Sequence, residues 1–244
     1  MGTKIQSDQF LSDGWTPVTD TWTYASADDP TYTFTLSAFD ATTKYMPGMK
    51  IKLTQSTGGT KYAFITKVVF DNPGSTITAY FGTDYNLENE AITAPYYSRE
   101  KTPFGFPLDP TKWTVITSDT SSRSQESPTD GTWYNLGSIS ISIPIGVWGV
   151  FYKLAIQGAK ATSTFYLATT LSTANNSQSD TEFTCYSGGT GDMLRDSHST
   201  RKTLPVSSKT SYYMNSMSAG SSLDSLYNLN HVSTLIIEAV CAYL

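Results

Sequence analysis

SISISIPI, residues 138–145, decides the fold class. Ile139, Ile141, Ile143 and Ile145 alternate with serine, and period two is the pattern of a strand with one dry and one wet face. Pro144 lacks a ladder donor, so it marks an edge or a strand end. After Gly146, VFYKLAIQG (150–158) sets Val150, Tyr152, Leu154 and Ile156 on one side. FYLATTL (165–171) follows a turn, and a last strand over Val232–Leu244 is expected to be central and buried. Between them, residues 172–210 read as a hydrophilic middle with glycines at 188, 189 and 191.

Towards the N-terminus the same period recurs in shorter runs. TYTFTL (31–36) places Tyr32, Phe34 and Leu36 opposite threonine; KIKL (50–53) pairs Ile51 with Leu53; KYAFITKVVF (61–70) and TITAYF (76–81) continue it. Pro47-Gly48, Gly58-Gly59 and Asn72-Pro73-Gly74 are turn signals between these runs. STGGTK and DNPGS are short enough to close hairpins, the second with more than two loop residues. Only YNLENEAIT (85–93), ended by Pro95, reads as a helical turn.

These runs predict an all-β chain. Residues 1–102 form a small β-barrel or sandwich of about five strands, and 113–244 a jelly-roll-like β-sandwich knob with long polar loops. KTPFGFPLDPTK (101–112) holds three prolines and a glycine, so 103–112 reads as a stiff connector pinned by Phe104 and Phe106. A long crossover loop inside one domain is the alternative.

Composition narrows the function classes. Aromatics are 13% of the chain and charged residues only 15%, which excludes disorder for most of its length. The net charge is −5 without a cationic run, so nucleic acid is not an expected partner. Lys50 with Lys52, and Arg201 with Lys202, read as solvated faces. No stretch reaches the ~20 apolar residues of a membrane span. The N-terminus lacks a signal-peptide core, so a product made in the cytoplasm is expected. Cys185 and Cys241 fit neither a disulfide framework nor a metal site, and whether they pair stays open. Asn175-Asn176-Ser177 reads as a polar loop.

No catalytic, metal or cofactor residues are expected. His198, in DMLRDSHSTRK, reads as a solvated loop side chain, and His231 as a cap or packed residue before the last strand. SGGTGDM (187–193) lacks the spacing of a phosphate cradle. Paired acids such as Asp28-Asp29 and Glu88 with Glu90 are unremarkable among 21 carboxylates. Aromatics remain: Trp22, Tyr24, Tyr96, Tyr97, Trp133 and Tyr134 are the candidate ligand-binding residues, as flat amphipathic platforms for sugar or a protein partner. Tyr212 and Tyr213, near Met214 and Met217, read either as a contact surface or as alternate faces of a strand.

GWTPVTDTWTYASADDPTYTFTLS (14–37), YMPGMKIKLTQ (45–55) and FGTDYNLENEAITAPYYSREKTPFGFPLDPTKWT (81–114) resemble the N-terminal segments of tailed-bacteriophage virion proteins. The resemblance covers about the first 115 residues; the remainder is similar only to phage β-knobs. It implies a non-enzymatic minor structural, tail or receptor-binding component of the virion. Such a protein is commonly trimeric, contacts other virion proteins and touches a host cell-surface glycan. A capsid decoration protein and a stand-alone carbohydrate-binding module are the alternatives.

Overall fold

The computed structural model describes residues 13–84, 87–159 and 163–244. The chain divides into two compact units, the first ending at Asp109 and the second running Pro110–Tyr243.

Unit 1 is one antiparallel sheet built from β1 (Thr16–Pro17), β2 (Thr23–Asp28), β3 (Thr31–Leu36), β4 (Lys50–Gln55), β5 (Gly59–Asp71), β6 (Gly74–Tyr80) and β7 (Thr93–Ser98), in the order β1-β7-β4-β5-β6-β3-β2. The alternation works as the sequence requires: Tyr32, Phe34, Leu36, Ile51, Leu53, Ile77 and Ala79 all enter one core. Every strand from β3 to β6 faces that core, so the sheet curls over its own face in a barrel-like roll. Register shifts at Tyr24/Ser26, Lys52/Thr54 and Ile65/Lys67 supply the extra bend. The two edge strands, β1 and β2, are consecutive in the chain, and they define a seam.

Three expectations need correcting here. The sheet has seven strands, because β1 is two residues long and β2 (TYASAD) is almost wholly exposed and lacks an apolar face. Described residues 87–92 carry no helical turn, since the segment is held by the Gln55 side chain instead; Tyr85 and Asn86 lie outside the described residues. The β5–β6 connection is a two-residue turn, with Asp71 opposite Gly74.

Unit 2 contains β8 (Thr114–Asp119), β9 (Arg123–Glu126), β10 (Trp133–Tyr134), β11 (Ser140–Ile143), β12 (Gly146–Ala159), β13 (Phe165–Ser172), β14 (Thr184–Gly189), β15 (Met193–Val206), β16 (Thr210–Ala219), β17 (Ser225–Asn228) and β18 (Leu235–Cys241). They make a β-sandwich. One sheet runs β8-β18-β12-β17-β9 with β15 on the other side of β12; the second runs β10-β16-β13-β14 with β11 on β16. Val150, Tyr152, Leu154 and Ile156 are fully buried, as the alternation predicts. β11 stops at Ile143, ahead of Pro144. β18 is interior, between β8 and β12, but spans only 235–241, and Val232 is exposed.

The hydrophilic middle is the main misreading. It contains β14 and the fourteen-residue β15, which pairs with β12 along its whole length. β15 is an edge strand and presents Arg195, Ser197, Ser199, Arg201 and Thr203 outward. Polar residues on such an edge hide its period from a hydrophobicity reading and discourage sheet-to-sheet aggregation.

Candidate functional site

At the seam of unit 1, residues Thr21–Tyr24 face the segment Asn89–Ile92 across a cleft of about 430 Å³. One wall is the start of β2, an edge strand paired only with β3. The other wall is fixed from behind. The buried Gln55 side chain donates to Glu88 O (2.7 Å) and accepts from Glu88 N (3.1 Å). The Glu90 carboxylate accepts from Ser56 Oγ (2.5 Å), Thr57 Oγ1 (2.9 Å) and Thr57 N (3.2 Å). Those donors, Ser56 first, hold the Glu90 carboxyl below the usual carboxylate range, so it is an anion at neutral pH.

The six predicted aromatics are not brought together. Trp22 and Tyr24 line this cleft, but with different roles. Trp22 is core, its ring 5.4 Å from both Phe34 and Tyr45, so it forms a wall and not an open platform. Tyr24 is half-buried against Tyr32. Tyr96 is engaged by Lys52, whose Nζ lies 4.4 Å from its ring and 4.8 Å from that of Trp15. Tyr97 packs edge-on to Tyr45, with Lys44 Nζ 5.5 Å away. Trp133 and Tyr134 sit on β10 against β16, and the Tyr134 hydroxyl accepts from Thr129 N. Tyr212 and Tyr213 are half-buried alternates of β16 beside buried Met214.

Lys50 is not on a solvated face. It is 4% exposed, with Nζ 5.2 Å from the Phe64 ring and 5.4 Å from that of Phe106. The reason is the proline-rich segment: Trp15 Nε1 donates to Phe104 O, Phe104 N donates to Asp13 O, and Phe106 packs edge-on to Phe64. The Phe104 ring itself is exposed. The aliphatic stem of a lysine is readily covered when its ammonium finds ring faces.

In unit 2, His198 is 4% exposed, within β15 and not in a loop. Its Nδ1 meets Thr169 Oγ1 at 2.9 Å and its Nε2 meets Ser187 Oγ at 3.0 Å. The Tyr152 hydroxyl completes the cluster, donating to Phe183 O (3.0 Å) within reach of Thr169 Oγ1 (3.1 Å). Asp196 Oδ2 lies 3.7 Å from Nε2, the same nitrogen that meets Ser187. A relay triad needs the carboxylate on the opposite ring nitrogen, so the arrangement is that of a buried polar tie between sheets. Burial pushes the His198 imidazole below its ordinary value, against an opposing pull from Asp196. His231 is exposed, its Nδ1 meeting Ser122 Oγ.

The outward face of the larger sheet in unit 2 is mixed. The registers place Arg201, Phe151, Glu238 and Ile116 in one row across β15, β12, β18 and β8; Ser199, Lys153, Ile236 and Ser118 in the next; and Thr203, Gly149, Val240 and Thr114 in a third. Phe151, Ile236 and Val240 are half-buried, and Ile116 is 59% exposed. Arg201 lies over the Phe151 ring at 5.9 Å.

Among the described residues no group of three or more His, Cys, Asp or Glu side chains is placed to hold a metal ion. Nor does any described helix have the length and apolarity to cross a membrane. Both cysteines are free thiols.

No family model and no curated protein matches the chain. Among solved structures it is similar to infectious bursal disease virus Gx strain, at 11% identity and a TM-score of 0.30 over 91% of this chain and 62% of that one. It is similar to the VP2 subviral particle of the same virus at 13% and 0.29, over 91% and 62%. Dimeric latent PorU from Porphyromonas gingivalis gives 10% and 0.29, over 91% and 24%. The chain thus spans less than two thirds of each of them. Likeness at this level establishes neither a shared fold nor a shared function.

Proposed function

We propose that this protein is a non-enzymatic structural component of a bacteriophage virion, part of a trimeric spike, fibre or receptor-binding assembly. The observation that carries the reading is the outward face of the larger sheet in unit 2. A free antiparallel sheet is polar on its solvent side, whereas strands covered on both faces read as near-continuous apolar runs. VWGVFYKLAI in β12 and LIIEAVC in β18 are runs of the second kind, although the second sheet covers only one of their faces. Phe151, Ile236, Val240 and Ile116 on the other face suit a surface that is covered in an assembly.

The partner best matched to that face is another copy of the same chain. Lys153 and Arg201 share the face with Glu238, so it carries both signs, and in a threefold ring the positive part of one chain's face can meet Glu238 of the next. The resemblance of residues 14–114 to virion proteins supplies the context, with unit 1 meeting other virion proteins. Light scattering on the full chain at micromolar concentration tests the assembly. Three chains of 26.7 kDa are expected, and a stable monomer overturns it. Mass spectrometry of purified particles tests the virion location, with absence from them as the contrary result.

The seam cleft favours a second reading, a stand-alone carbohydrate-binding module. Sugar binding by a monomeric protein absent from particles would select it.

A further inference from the structure

We infer that the seam cleft of unit 1 is a subsite for a neutral saccharide. The inference stands on the cleft alone and does not require the assembly proposed above. Four polar residues that line the cleft, Thr21, Thr23, Tyr24 and Asn89, have no side-chain hydrogen-bond partner among the described residues. Polar groups elsewhere around this rim are engaged, since Ser56, Thr57 and Gln55 each have partners on the segment Glu88–Glu90. Asn89 thus lies on the wall that is tied down from behind, and Thr21, Thr23 and Tyr24 lie on the facing wall at the start of β2.

Their chemistry selects the ligand class. The three hydroxyls and one primary amide both donate and accept, which matches a ligand whose own groups do both. Glu90 Oε1 already accepts twice, from Thr57 N and Thr57 Oγ1, but Oε2 holds only the Ser56 donor and keeps a site open, and a carboxylate accepts from sugar hydroxyls well. Trp22, Ile92 and the Tyr24 ring give the cleft apolar wall, the complement of the C–H face of a pyranose ring. The one charge among the lining residues is negative, which disfavours sialylated, sulfated or phosphorylated sugars. A volume of about 430 Å³ holds one to two sugar rings. Because the wall is anchored through Gln55 and Glu90, little ordering cost accompanies binding.

The test is saturation-transfer NMR and titration of the full chain with two neutral probes, tri-N-acetylchitotriose and maltotriose, beside 3′-sialyllactose. Binding of a neutral probe with Kd about 1 mM or tighter is expected. Asn89→Ala and Tyr24→Phe each remove polar groups that have no hydrogen-bond partner among the described residues. Each is expected to weaken binding at least several-fold at an unchanged unfolding midpoint, while sialyllactose binds more weakly. Failure of both neutral probes at 10 mM, binding indifferent to both variants, or preference for sialyllactose would each overturn the inference. None of those results bears on the size measured by light scattering, so the two proposals fail separately.

Discussion

His198 is the side chain whose environment makes the sharpest residue-scale prediction. Thr169, Ser187, Asp196 and Tyr152 surround it, and burial lowers its proton affinity in the folded chain relative to the unfolded one. Below the unfolded value of about 6.5 the unfolded chain therefore binds more protons, and stability falls as the pH falls. Urea midpoints are expected to drop between pH 7.5 and pH 5, and His198→Gln should lose part of that drop. An amide still serves both hydroxyls but does not titrate. An unaltered slope in the variant contradicts the account. Gly158 gives a steric counterpart: a Cβ there would lie 2.6 Å from Phe165 Cε2 and 2.9 Å from Leu223 Cδ1. Gly158→Ala should cost about 1–3 kcal/mol by overpacking, measured by thermal unfolding. Neither residue announces its role in the sequence. Beyond Leu194, DMLRDSHSTRK carries no apolar alternate on the face of His198, and the partners that bury His198 come from β13 and β14.

At the scale of elements, the alternation of TYTFTL carries the core face because β3 packs Tyr32, Phe34 and Leu36 inward and leaves Thr33 and Thr35 in contact with water. Where that asymmetry fails, the pattern fails. β2 is exposed along most of its length, β15 is a polar edge, and β13 is buried on both sides with Thr169, Thr170 and Ser172 inside. The cleft is half-legible in the sequence: the aromatic cluster singles out Trp22 and Tyr24, whereas Asn89 and Glu90 belong to a segment whose pattern reads as a helical turn. What fixes that segment is the contact with Gln55, 33 positions away in sequence. Gln55→Ala removes both hydrogen bonds to the backbone of the exposed Glu88 and, at about 0.5–1.5 kcal/mol for each bond, should cost about 1–3 kcal/mol. Hydrogen exchange at 88–92 should accelerate with it, which separates loss of this tie from a uniform weakening of unit 1. Gln55→Glu keeps the acceptor for Glu88 N but sets a buried carboxylate oxygen against Glu88 O, so it should cost at least as much at neutral pH and recover in acid, where the protonated carboxyl can donate.

For the whole molecule, the decisive quantity is how much of the outward sheet of unit 2 is covered in solution. Fully burying a side chain such as isoleucine, valine or phenylalanine is worth ~1.5–3 kcal/mol. A contact over Ile116, Phe151, Ile236 and Val240 therefore contributes several kcal/mol per chain, against an association cost of ~4–15 kcal/mol. The apolar patch is thus one part of a larger interface, and its loss should shift the equilibrium without unfolding the chain. Ile116→Glu and Val240→Glu place carboxylates beside Glu238 at positions already in contact with water in the single chain. The double variant should keep its unfolding midpoint in dilute solution yet elute as a 26.7 kDa species where the parent is larger. High salt should weaken the parent assembly as well, because Lys153, Arg201 and Glu238 share the face. An oligomer that survives both changes must be held through another surface, and the outward face of unit 2 then no longer supports the virion reading.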